Sequence, residues 1–126
     1  MEKKIVSCPN APAAVGTYSQ AVIAGNTIYV SGQIPIDPAT GEFVPGGARE
    51  QMEQVFTNLK NILNYAGYDF SDVVKTTVYL KDMGDFATLN EVYAKYFSAP
   101  YPARAAFQVA ALPKGALVEA EVVAVK

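Results

Sequence analysis

The stretch YPARAAFQVAALPKGALVEAEVVAV, residues 101–125, holds two β-type runs, about Ala103 to Val109 and Leu117 to Val125. The turn Leu112-Pro113-Lys114-Gly115 parts them. Val122-Val123-Ala124-Val125 is apolar at both phases, the pattern of a strand covered on both sides, and Ile28-Tyr29-Val30 reads the same way. A sheet built from such strands needs two covers. The stretch also holds Arg104, one of two arginines in the chain, and Glu119 fifteen positions later, both among small apolar residues. A guanidinium in such a run is costly to bury unless an anion meets it. Either Glu119 or Glu121 is that anion, or the group waits for a carboxylate from outside.

Working back from this stretch, the pattern has helical period twice. Met52, Val55, Phe56, Leu59, Ile62, Leu63 and Ala66 form an apolar stripe from Ala48 onward, with Arg49, Glu50, Glu53 and Lys60 off it and Gly67 placed to stop the helix. Asp85 is positioned to cap a second helix that buries Phe86, Leu89, Tyr93, Tyr96 and Phe97 before Pro100 and Pro102 end it. Lys3 to Ser7, Gln20 to Ala24, Thr27 to Ser31 and Val73 to Leu80 read as strands, with Gly25-Asn26 as a tight hairpin turn. Gly32 to Gly47, with three prolines and four glycines, reads as loop. The expected order is β-β-β-α-β-α-β-β in one domain over 1–126, an α+β fold. Two helices cover one face of such a sheet, so the other face is expected to bury against a second copy in a closed homo-oligomer.

Composition narrows the chemistry. The 126 residues are 51% hydrophobic and 17% charged, with net charge −2, which suits a compact domain and argues against non-specific nucleic-acid binding. No secretory signal or membrane-length apolar run is visible, and the cytoplasm is the default expectation. There is no histidine, so Ser-His-Asp chemistry and His metal sites are excluded; the single Cys8 rules out an intrachain disulfide or a cysteine zinc cluster. Cys8 next to Pro9 is expected to tuck against the core. Acid–base work falls to Asp, Glu, Tyr, Lys, Cys8 or backbone groups with water.

Arg104 presents a planar donor fork that matches a carboxylate with two parallel hydrogen bonds. The plainer reading is an internal ion pair with Glu119 or Glu121, which share one side of the last strand because alternate residues do. A partly desolvated carboxylate there would have a raised pKa, and a solvated edge position is its plainer alternative. Gly32, after a strand, could offer its amide to an anion or simply turn the chain. Tyr18, Ser31 and Asn90 complete the candidates, Asn90 being a poor helix former inside the second helix.

Together these segments resemble the Rid family (reactive intermediate deaminases, the YjgF family) over almost the whole chain. The resemblance rests on Asn10-Ala11-Pro12-Ala13-Ala14-Val15-Gly16-Thr17-Tyr18-Ser19-Gln20, Ser31-Gly32-Gln33-Ile34-Pro35, Val74-Lys75-Thr76-Thr77-Val78, Asp85-Phe86-Ala87 with Asn90, Pro102-Ala103-Arg104, and Leu112-Pro113-Lys114-Gly115 with Glu119. It implies a chorismate-mutase-like fold with both helices on one face of a mixed sheet, and a homotrimer with clefts between subunits. It further implies cofactor-free, metal-free hydrolysis of enamine/imine intermediates (2-aminoacrylate, 2-iminopropanoate, 2-iminobutanoate) to 2-oxo acids and ammonia. Arg104 would hold the substrate carboxylate and Glu119 engage the attacking water, with Tyr18, Ser31, Gly32 and Asn90 lining the cleft. Many relatives carry cysteine two residues after this arginine; here Ala106 stands there, so thiol chemistry is absent while a backbone contact to the ligand would survive. A non-catalytic 2-oxo-acid-binding regulator is the alternative the same pocket allows. Nuclease or translation-inhibitor roles are also ascribed to the family.

Overall fold

The computed structural model describes residues 2–126. The first strand, β1 (Lys3–Val6), pairs antiparallel with β2 (Ala21–Ala24), which turns through Gly25-Asn26 into β3 (Thr27–Gln33). Gly25 has φ 62°, the conformation that a side chain disfavours and that this two-residue turn requires. The region expected as pure loop contains a short hairpin instead, β4 (Ile36–Asp37) with β5 (Glu42–Phe43). Its turn closes through amides of Thr40 and Gly41 on the Asp37 carbonyl, and Gly41 takes φ 76°. Strands of two residues leave no periodicity to read.

Helix α1 (Ala48–Tyr65) buries Met52, Val55, Phe56, Leu59, Ile62 and Leu63 completely, as its stripe predicts, and Gly67 follows it at φ 89°. Strand β6 (Val73–Leu80) leads to α2 (Phe86–Tyr96), which buries Leu89, Val92 and Tyr93. Asp85 precedes α2 but its side chain caps nothing; the capping carboxylate is Asp82, which accepts from the Gly84 amide at 2.8 Å at the start of a 3-10 turn, Met83–Asp85. That extra turn moves the cap three residues upstream. Strands β7 (Ala103–Gln108) and β8 (Val118–Val125) follow.

Among the described residues six strands form one sheet, in the order β1-β2-β3-β8-β6-β7. Only β6 and β7 of these six run parallel, with α2 as their crossover; β8, the highest-numbered of them, inserts between β3 and β6. Both helices lie on one face, where Ile28, Val78, Leu80, Val118, Ala120 and Ala124 meet α1 and α2. The other face carries Ile5, Tyr29, Phe107 and Val125, exposed at 58, 50, 45 and 37%. A single chain thus leaves the second apolar face uncovered, as the two-phase strands predicted. Among the described residues no helix is long and apolar enough to cross a membrane.

Candidate functional site

Strand register sends the two candidate charged residues to opposite faces of the sheet. Arg104 on β7 pairs with Thr76 of β6, whose side chain is buried toward the helices. Glu119 on β8 pairs with Tyr79 of β6, three residues further on and therefore on the other face. Arg104 is exposed and has no carboxylate partner among the described residues, so neither burial in an apolar run nor an internal pair with Glu119 or Glu121 describes it. It escapes burial because β7 is an edge strand.

What holds Arg104 is α2. Its Nη1 donates to Asn90 Oδ1 at 2.9 Å, and the guanidinium lies 4.8 Å above the Tyr93 ring and 5.5 Å from that of Phe86. Cation–aromatic contacts of this kind contribute about 0.5–2 kcal/mol and fix the plane of the donors. The Tyr93 hydroxyl is in turn hydrogen-bonded to Thr76 Oγ1 at 2.9 Å, inside the core. Burial raises the Tyr93 pKa, against the opposing pulls of Thr76 and Arg104, so the phenol stays neutral. Asn90, Tyr93, Ala94, Tyr101, Pro102 and Arg104 enclose a cleft of about 350 Å³. Ala106 lies two residues on, on the same face, partly buried against the core. Tyr93 was read from sequence only as a core residue; its helical spacing says nothing of the cation above its ring.

A second cleft, of about 360 Å³, is lined by Tyr18, Gly32, Lys114 and Glu119 with apolar walls that include Val15 and Ile34. Gly32 is the reason Glu119 fits: a Cβ there would stand 2.1 Å from Glu119 Oε2, so the carboxylate lies directly on the Gly32 backbone. Burial first, and then the neighbouring Glu121, push the Glu119 pKa above the usual carboxylate range. The wall of this cleft depends on Gln20, which is buried and clamps residues 8–12. Its Oε1 accepts from the Cys8 amide, and its Nε2 donates to the carbonyls of Cys8 at 3.1 Å and Pro12 at 2.8 Å. Cys8 itself is buried, as expected. Ser31 does not line either cleft; its hydroxyl donates to the Ser19 carbonyl at 2.6 Å and so anchors the segment that carries Tyr18. Lys114, missed as a cleft residue, holds φ 56° in the turn before β8, a backbone state that its sequence position beside Gly115 does not announce.

Among the described residues no group of three His, Cys, Asp or Glu stands close enough to hold a metal ion. The two clefts present different groups: one an arginine without a carboxylate partner among the described residues, the other a carboxylate with a raised pKa in a mostly apolar recess.

A mixed sheet backed on one face by two helices, with an arginine held on that face and a carboxylate laid on a glycine of the other, defines a class of small α+β proteins. The chain belongs to the Rid (YjgF) family: the family model described as "Endoribonuclease L-PSP" matches residues 8–126. It is 56% identical over 124 residues to the bovine (Bos taurus) 2-iminobutanoate/2-iminopropanoate deaminase, covering 98% of this chain and 90% of that protein. The human protein of the same name is 52% identical with the same coverage. Among solved structures, RidA from the Antarctic bacterium Psychrobacter sp. PAMC 21119 matches with a TM-score of 0.94 at 54% identity, covering 98% of this chain and 99% of that one. Escherichia coli TdcF with bound serine matches with a TM-score of 0.93 at 43% identity, covering 98% of each chain.

Proposed function

We propose that the protein is an imine deaminase that hydrolyses 2-aminoacrylate/2-iminopropanoate and 2-iminobutanoate to 2-oxo acids and ammonia. The observation that carries the reading is the Arg104 guanidinium, aimed by Asn90 and Tyr93 and free of any carboxylate among the described residues. The deaminase names of the curated relatives support the same activity.

The chemistry needs no cofactor, because a protonated imine already has an electrophilic carbon. Arg104 binds the substrate carboxylate through its two parallel N–H groups, and the Gly32 amide is available to assist. Glu119 orients a water and takes its proton as oxygen attacks C2. The resulting carbinolamine receives that proton on nitrogen, the C–N bond breaks, and ammonia leaves. Loss of the hydroxyl proton to Glu119 gives the 2-oxo acid, and the ammonia takes that proton as it departs, which restores the Glu119 carboxylate. Tyr18 closes the Glu119 recess, Asn90 keeps Arg104 in plane, Ser31 holds the Tyr18 segment, and the Ala106 backbone borders the carboxylate.

This reading requires that Arg104 of one copy meet Glu119 of another, since the two face opposite ways in one chain. A homotrimer with sites between subunits meets that requirement and covers the apolar face of Ile5, Tyr29 and Phe107. We read the protein as cytoplasmic, meeting the short-lived imine where pyridoxal-phosphate-dependent dehydratases of serine or threonine would release it. The test is a serine or threonine dehydratase reaction run with semicarbazide as trap. The protein should raise 2-oxo acid release at the expense of semicarbazone, and an unchanged ratio would refute the activity. The ribonuclease description of the family model gives the competing reading. An acidic chain without histidine suits RNA cleavage poorly, and RNA is expected to neither bind at physiological salt nor be cut by the purified oligomer.

A further inference from the structure

Glu121 is used by none of the steps above, yet it is built into the Glu119 site. It sits two residues along β8 on the same face, and Tyr79 of β6, the register partner of Glu119, donates its hydroxyl to Glu121 Oε1 at 2.6 Å. The Tyr79 ring is itself fixed edge-on against Phe107 of β7, with centroids 5.4 Å apart. The two carboxylates therefore differ in kind. Glu121 is half-buried and tied to a phenol donor, which fixes where its carboxylate sits. Glu119 makes no side-chain hydrogen bond among the described residues and lies on the Gly32 backbone.

We infer that the Tyr79–Glu121 pair is a positioning device that holds a fixed negative charge beside Glu119 and so sets the pH range in which Glu119 accepts the proton of water. It rests on the imine-hydrolysis reading given above. The direction of the Glu119 pKa agrees, with Glu121 second to burial among its causes, and Tyr79 is pushed up to about 12 chiefly by its bond to Glu121. The other charged or titratable groups facing this region are few. Lys114 and Tyr18 line the Glu119 cleft from the turn before β8 and the loop before β2, and Lys75 lies on the same face of β6. Tyr29 of β3 is on that face further along, beside Val123. Lys114 opposes the effect of Glu121, and so does the Arg104 that a second copy brings to Glu119 in the reading above; the chain's own Arg104 is on the far face.

The experiment is a pH series of kcat/KM for imine hydrolysis with the wild type, Glu121→Gln and Tyr79→Phe. A carbon-13 NMR titration of the Glu119 carboxyl in each protein reads the same quantity without turnover. With Glu121→Gln, the acid limb and the NMR midpoint of Glu119 should both move to lower pH by roughly half a unit, about threefold in ionised base on the acid side. Tyr79→Phe should move both the same way by less, because the freed Glu121 can swing toward water. A merely structural pair would lower Tm and leave both midpoints in place, and that result overturns the inference. Absence of hydrolysis by the wild type would sink the deaminase reading instead, while the NMR midpoints still decide the role of Glu121.

Discussion

Glu119 ionises against burial and against a like charge, and this has a cost outside catalysis. Its folded-state pKa is raised above the unfolded value, so the protonated side chain favours the fold. That contribution is complete below the ordinary carboxylate range and is lost as pH rises through the raised pKa. Glu119→Gln, neutral at every pH, is therefore expected to melt higher than the wild type at neutral pH and to lose that advantage in acid; a series of thermal melts between acid and neutral pH checks it. The same variant should lose about 10²–10⁴-fold in turnover, the usual worth of a placed base. Gly32→Ala reaches the same group from the other side. The new Cβ must expel the carboxylate from its place on the backbone, and turnover should fall with little change in Tm. A crystal structure of that variant with Glu119 unmoved would contradict it. These residue-level contacts were only partly legible in sequence. Glu119, Gly32 and Arg104 stood out by type and neighbours, but that Gly32 makes room for a side chain on a different strand needed the β3–β8 register.

At the scale of elements, α2 is both a core helix and the mount for Arg104. Tyr93→Leu removes the ring beneath the guanidinium, and KM for the imine should rise several-fold with kcat less affected. Tyr93→Phe keeps the ring and should restore most of the affinity. The apolar stripes of α1 and α2 were visible as periodicity because a helix repeats its buried face every turn. Val92 and the 3-10 turn that moves the cap to Asp82 were not, since one extra turn leaves the stripe unchanged. Nothing local in residues 8–12 says that this segment hangs from Gln20. Gln20→Ala removes the partner of the Cys8 amide and of the Cys8, Ala11 and Pro12 carbonyls, and should cost about 1–3 kcal/mol in denaturant unfolding.

The whole molecule shows why two charged residues named from one stretch of chain do not meet within it. Alternation along β7 and β8 and the register through β6 set Arg104 and Glu119 back to back, an outcome that depends on pairing partners far away in sequence. The doubly apolar strands did foretell the uncovered face, because two helices cannot hide both sides of six strands. If sites form between copies, mixing Arg104→Ala and Glu119→Ala chains by joint refolding should revive turnover that neither has alone. A random trimer mixture would hold about a quarter of its sites intact. Silence of the mixture, with oligomers of both chains present, would argue for sites within single subunits.

Strand β8 is the one that both β3 and β6 must embrace. Until it is threaded into place, the sheet has two unzipped margins with open backbone donors and acceptors. A chain cut before Val118 should therefore yield inclusion bodies in place of a shortened enzyme.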